Sequence, residues 1–261
     1  MQNIYMFIDT HAHLNDDAFK GEVNEIIKLS KDLGVEKIIN SGFDLASSVD
    51  VISLAEQYEN LYCSIGFYPE NIEELTDETY NKLLELAQNK KVLAIGEIGL
   101  QYTDDCPERE KQKQGFVRQL KLANYLQKPI VIHCRDAYSD MIELLKEHKH
   151  LLEFGGTFHC FSGSAEIAKE ALKLGLYISV GGVSTFKNAE KLRGALAVVP
   201  IEKILLETDC PYLTPHPYRG KRNSPAFIPT IAENLANLKG LNVEEVANIT
   251  TQNARRLFNI W

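Results

Sequence analysis

Four histidines and two carboxylates along this chain have the types and placement to bind metal. His11 and His13 lie in FIDTHAHL, Glu97 in LAIGEIGL, His133 in IVIHCRDA, His159 in GGTFHCFSG and Asp209 in ILLETDCPY. Each sits in or directly after an apolar run and ahead of a turn or a helical segment. Ligands scattered along a chain but placed alike within their elements imply one site where those elements converge. His11 and His13 are two apart, so extended backbone puts both on one face and within reach of one ion. A His-X-His pair alone reads equally as two packed histidines, and the other four residues give it weight. His133, His159 and Asp209 each close a different apolar run, while Glu97 stands two residues short of the Gly-Leu that ends its own.

Six ligands exceed what one tetrahedral ion takes, so the set predicts a binuclear centre with the two oxygens of Glu97 between the ions. Two ions roughly 3.5–4 Å apart bind the attacking oxygen and the oxygen of the group under attack, and lower the pKa of a bound water. Mixed nitrogen and oxygen ligation suits Zn²⁺, Mn²⁺, Co²⁺ or Ni²⁺, with Mg²⁺ at an oxygen-rich position. The chemistry is hydrolysis, with Glu97 and Asp209 as catalytic carboxylates and Asp209 placed to accept the water proton. The other histidines read as structural: His148 and His150 lie in the lysine-rich KEHKHL, and His216 stands between two prolines.

Something must hold these residues together. Eight strand-like runs occur at about 5–10, 35–41, 61–67, 92–98, 129–134, 156–160, 177–182 and 203–208. Most are continuously apolar, as in strands covered on both faces. Amphipathic stretches such as EVNEIIKLSKDLG and SAEIAKEALKLG separate them, with Gly34 and Gly175 as helix C′ residues. Pro107 suits a first helical turn, Asp136 an N-cap, and Asn242 with Glu245 a capping box. Alternating strand and helix gives a parallel sheet, and eight units predict a closed (β/α)₈ TIM barrel with the metal site at the C-terminal ends of its strands. A doubly wound open sheet is the competitor, but it usually carries a glycine-rich turn after its first strand, where this chain has His-Ala-His. No linker or low-complexity segment divides residues 1–261, which read as one domain. Residues 210–224 form the one long irregular stretch, expected to overhang the barrel mouth.

Composition narrows the partners. A formal net charge of −8 excludes a protein that coats duplex by electrostatics alone, though not one acting on a few phosphates at a strand end. Five cysteines without CxxC spacing suit reduced thiols better than a disulfide framework, and Cys134, Cys160 and Cys210 read as packing residues turned away from the ligands beside them. No run approaches the length of a membrane span, and the N-terminus lacks the pattern of a signal peptide, so cytoplasmic residence without an obligate protein partner is expected. Arg135 shares a face with His133 if the strand persists, and is either a phosphate contact or half of a salt bridge. Arg222, in the basic loop Arg219–Asn223 with Tyr212 and Tyr218 nearby, is a candidate for tracking a single strand by charge and stacking.

FIDTHAHL, IGFYPE, AIGEIGL, KPIVIHCRDA, GGTFHCFSGS, YISVGGVSTF and LLETDCPYLTP followed by RGKRNSP together resemble the TatD-type metal-dependent DNases, within the amidohydrolase-like metallohydrolases. The match runs in order from residue 7 to residue 225. The resemblance implies a (β/α)₈ fold and hydrolysis of DNA phosphodiester bonds, typically as a 3′–5′ exonuclease. It also implies two divalent ions carried by His11, His13, Glu97, His133, His159 and Asp209. Single-stranded or frayed 3′ ends are the expected DNA partner rather than intact duplex. The sequence departs from the family pattern twice. Tyr68 stands where a histidine near the substrate phosphate is usual, making it a candidate substrate contact, and Gln101 stands where aspartate is common. Two other readings use the same residues. One is an amidohydrolase-type enzyme acting on a small cyclic amide, lactone or phosphoester. The other is a non-catalytic metal- or partner-binding barrel, against which the complete ligand set argues.

Overall fold

The computed structural model describes residues 5–261. Strands β1 (Phe7–Ala12), β2 (Val35–Ser41), β3 (Leu61–Ile65), β4 (Val92–Gln101), β5 (Ile130–Arg135), β6 (Gly156–Phe158), β7 (Tyr177–Val180) and β8 (Ile204–Leu206) form one sheet in chain order. Every neighbouring pair is parallel. The helices between and after them are α1 (Val23–Asp32), α2 (Leu45–Gln57), α3 (Asp77–Leu86), α4 (Arg109–Tyr125), α5 (Tyr138–Glu147), α6 (Ala165–Lys173), α7 (Glu190–Val198), α8 (Ile228–Lys239) and α9 (Val243–Phe258). The eight-unit (β/α)₈ barrel read from the sequence is the observed architecture. Among the described residues no helix is long and apolar enough to cross a membrane.

The ring closes where the candidate metal ligands sit. Beyond β8 the chain bridges β1 through Ala12 and Cys210, with Asp209 N donating to His11 O at 2.9 Å and His13 N to Cys210 O at 2.8 Å. Lower down, Thr10 Oγ1 donates to Leu206 O at 2.9 Å, and Thr208 Oγ1 donates to the buried Asp9 carboxylate at 2.6 Å. Side-chain bonds thus supplement the ladder at this seam.

Period-two alternation then makes the interior polar at one end. Ile39, Val131, Tyr177 and Leu205 belong to an apolar cluster at the base, which the last turn of α9 plugs with Ala254, Leu257 and Phe258. Two residues further on, the same faces carry Ser41, His133, Ser179 and Glu207. A larger apolar cluster, including Phe7, Phe67, Phe116 and Phe158, packs helices against the outside of the strands. The base therefore buries hydrocarbon and the mouth is free to bind ligands.

Local signals are mostly honoured. Gly34 and Gly175 take φ of 90° and 83° just past α1 and α6, and Asn242 with Glu245 forms the capping box of α9. Two expectations are corrected. Pro107 precedes α4, which starts at Arg109 with Glu108 at its N-cap, and its carbonyl accepts from Gln112 Nε2 instead. Asp136 does not cap α5. Its φ of 54° is left-handed, whereas an N-cap needs extended backbone, and Ala137 occupies the cap position.

Candidate metal centre

All six residues meet at the mouth. β1 and the residue after it deliver His11 and His13, β4 delivers Glu97, and β5 delivers His133. His159 and Asp209 lie just past the short strands β6 and β8, where Cys160 and Asp209 take φ of 41° and 56°. Both stay tied to a neighbouring strand, with His159 N donating to Ile132 O at 3.0 Å and Asp209 N to His11 O at 2.9 Å, and aspartate tolerates left-handed backbone better than bulky residues do. The carboxylate of Glu97 stands in the middle. Its Oε1 is 2.7 Å from His159 Nε2 and 2.8 Å from His133 Nδ1. Its Oε2 is 3.3 Å from His11 Nε2 and 3.9 Å from His13 Nε2, while Asp209 Oδ1 is 3.3 Å from His13 Nε2. His11, His13 and Glu97 make one compact group, and Glu97, His133 and His159 another.

The donor set fits cations. His13 Nδ1 lies 3.0 Å from the Ser41 carbonyl oxygen, which only accepts, so Nδ1 holds a proton and Nε2 is the nitrogen left to face the centre. That nitrogen lies 3.2 Å from His11 Nε2 and 3.3 Å from Asp209 Oδ1. His133 Nδ1 and His159 Nε2 likewise approach to 3.0 Å beside Glu97 Oε1. Buried lone pairs crowded this way repel unless a positive charge lies among them.

Proton affinities report the same field. Burial opposes the charge on Glu97, but His159, His11 and His133 outweigh it and hold the carboxyl well below its usual range. Burial also opposes charge on Asp209, and hydrogen bonding to His13 overcomes it, so this carboxyl too is held down. His159, despite burial, is raised to about 10 by Glu97. Burial, with the charge of His159 stacked at 4.1 Å, pushes His11 down to about 4. His13 is raised, burial being outweighed by Asp209 and Glu97. A field that draws a proton onto His159 also draws a divalent cation.

A family model described as TatD related DNase matches residues 8–259. The chain belongs to the TatD family. It is 44% identical over 255 residues to the metal-dependent hydrolase YabD of Bacillus subtilis, covering 98% of this chain and 100% of that one. It is 33% identical over 259 residues to the 3′-5′ ssDNA/RNA exonuclease TatD of Erwinia tasmaniensis, covering 97% and 99%. The crystal structure of YjjV, a TatD homologue from Escherichia coli, superposes with a TM-score of 0.93 at 33% identity, covering 99% of this chain and 100% of that one.

In this TatD-family barrel the centre opens into a cavity of about 890 Å³. Arg135 is its only lysine or arginine among the described lining residues, and makes no ion pair among the described residues. Asp16, Asp17, Asp44, Asp50 and Glu70 line the outer part, so the rim is acidic. Arg222 is placed elsewhere: it pairs with Glu22 at 2.6 and 3.1 Å, reaches the Ala18 carbonyl and lies 5.0 Å over the Phe19 ring. Arg219 packs 3.8 Å over Phe186 and Lys221 lies 5.5 Å from the Tyr218 ring. From that loop, Tyr212 and Leu213 reach the cavity, and the Tyr212 hydroxyl donates to Asp16 at 2.7 Å. The cations of this loop are thus packed against groups of their own barrel.

Tyr68 lines the cavity, but its hydroxyl donates to Gln101 Oε1 at 2.6 Å, and burial pushes its pKa upward. The five cysteines are free, and none joins a compact ligand group among the described residues. Cys134 and Cys210 are buried, although Cys134 also borders the cavity. Cys160 is half-buried and lines the cavity, since the alternation expected of a strand does not extend past Phe158. Sequence reasoning passed over Glu207, fully buried and grouped with His11 and His159. Its Oε1 accepts from Cys160 N, while Oε2 has no hydrogen-bond partner. The signal was available: Glu207 precedes Asp209 by two, the spacing that paired His11 with His13.

Proposed function

We propose that this chain is a two-ion metallohydrolase that shortens single-stranded DNA from its 3′ end. The observation that carries the reading is the central carboxylate, with each oxygen of Glu97 directed at a different pair of imidazoles. His11, His13 and Asp209 would hold one ion and His133 with His159 the other, with Glu97 shared. The ions, when bound, supply hydroxide at neutral pH and offset charge on the phosphoryl oxygens. The protein's own residues do the rest. Arg135 contacts the phosphate as a planar charged donor. Asp209, ionised at neutral pH, accepts at Oδ1 the proton that the attacking water gives up and returns it to the departing 3′ oxygen as the bond from phosphorus to that oxygen breaks. His13 stays in place through its bond to Ser41 O. The similarity to the Erwinia exonuclease supports DNA as substrate.

The acidic rim favours a second reading, a hydrolase for a small phosphoester or lactone. Five carboxylates against one arginine repel a long polyanion, so the DNA reading confines contact to the terminal phosphates. Digestion of 5′-labelled single-stranded DNA by metal-stripped protein resupplied with Mg²⁺, Mn²⁺ or Zn²⁺ separates the two. A ladder shortening from the 3′ end, lost in Glu97→Ala, is expected. No cleavage with any of the three metals would hand the site to the small-substrate reading.

A further inference from the structure

The two positions at which this sequence departs from the family pattern touch each other. Tyr68 Oη donates to Gln101 Oε1 at 2.6 Å, and both atoms lie beside His133 Nε2, at 3.1 and 3.0 Å. Gln101 is 2% exposed and held at every end. Its backbone N–H donates to Gln112 Oε1 and its carbonyl accepts from Gln112 Nε2, each at 2.8 Å. Its side-chain amide donates to Glu70 Oε1 at 2.6 Å and to Thr103 Oγ1 at 3.2 Å.

These contacts settle which way the amide points. A carboxylate only accepts, so the NH₂ end must face Glu70 and the oxygen must face His133. The amide oxygen also only accepts, so the imidazole donates from Nε2. In the neutral imidazole Nδ1 is then bare, and it is the nitrogen 2.8 Å from Glu97 Oε1. We propose that Gln101 is a positioning residue that fixes His133 as the Nε2–H tautomer and so presents Nδ1 to a metal ion, with Glu70 setting the amide's direction and Tyr68 sharing its oxygen. The inference rests on the metal-centre reading, but not on DNA being the substrate. It assigns Tyr68 to the same relay, where its proton is committed to Gln101 rather than to substrate. It also gives Glu70, a rim carboxylate outside the ligand set, a defined function two contacts away from His133.

The geometry makes an unusual demand on substitutions. Gln101→Glu alone sets two carboxylates against each other where the amide now bonds Glu70. The double variant Gln101→Glu/Glu70→Gln exchanges donor and acceptor and keeps an oxygen facing His133. Zn²⁺ affinity by chelator competition is the first readout and the Co²⁺ absorption spectrum the second. Gln101→Leu should bind metal about 10- to 100-fold more weakly, the range for lost outer partners of ligating histidines, and shift the Co²⁺ spectrum. Gln101→Glu should also be weak, and the exchanged pair should recover to within a few-fold of the parent. In zinc-loaded parent protein, the imidazole ¹⁵N spectrum should show His133 protonated at Nε2.

Parent-like affinity and spectrum in Gln101→Leu would overturn the proposal, as would His133 protonated at Nδ1. If Gln101→Leu fails to fold, the exchanged pair decides: folded but as weak as Gln101→Glu, it refutes the relay. Parent protein that binds no metal at all would sink the metal-centre reading and this inference together. Metal binding without DNA cleavage would leave the relay intact and remove only the nuclease assignment.

Discussion

Arg135 and Arg222 carry the same charge into different circumstances. Arg135 lies on the cavity without an ion-pair partner among the described residues, whereas Arg222 is bidentate on Glu22. A charge-assisted hydrogen bond to phosphate is worth about 1.5–3 kcal/mol, so Arg135→Ala should lower kcat/KM roughly 10- to 100-fold. Arg222→Ala should leave kcat/KM within about twofold and cost at most about 1 kcal/mol of stability, as exposed pairs do. Steady-state kinetics on a short oligonucleotide with both variants checks this. Equal losses would return the basic loop to the substrate path. The sequence could not separate the two arginines, because the fold of residues 210–224 depends on partners such as Glu22 that are far away in the chain. Tyr68 and Gln101 were not legible as partners, since their contact requires the adjacent strands β3 and β4 to be in place.

At the scale of elements, the position of the ligands depends on how closely β4 and β5 run. Gly99 pairs with His133, and a Cβ at Gly99 would fall 1.8 Å from the His133 carbonyl oxygen. Backbone cannot yield there without moving the strands that carry Glu97 and His133. Gly99→Ala should therefore cost more than about 3 kcal/mol, the upper end for ordinary overpacking, and weaken metal binding with it. Chemical denaturation and metal titration of the same variant would test the coupling, and unaltered stability would contradict the register described. Most of this scale was readable beforehand. Continuous apolar runs gave eight strands close to their observed bounds, since a strand buried on both faces has no other composition available. What failed was local: Pro107 and Asp136 were assigned to helix starts from residue preference, and the backbone around them took another course. Glu207 was within reach too, since it follows the inward-facing Leu205 by two.

For the whole molecule, closing eight strands puts a buried concentration of acids and imidazoles at one end. Burial raises Glu207 to about 7 and Asp9 to about 8, and Glu97 raises His159 to about 10 against the effect of burial. Each of these groups holds its proton more tightly when folded than unfolded. Each thus stabilises the metal-free fold below its ordinary pKa, and that contribution is lost as pH rises through the folded value. The melting temperature of metal-free protein should fall from about pH 5 to about pH 10, spanning these shifts. Saturating metal replaces the proton on His159 and binds only the folded state, so loaded protein should melt higher and vary less over that range. A metal-free melting temperature that climbs across the range would contradict these assignments. Metal stoichiometry decides whether Glu97 organises a two-ion centre. Elemental analysis of protein equilibrated with Zn²⁺ and freed of unbound ion should give two ions per chain, and one or none in Glu97→Ala. One ion per chain in the parent, or two retained without Glu97, would contradict it.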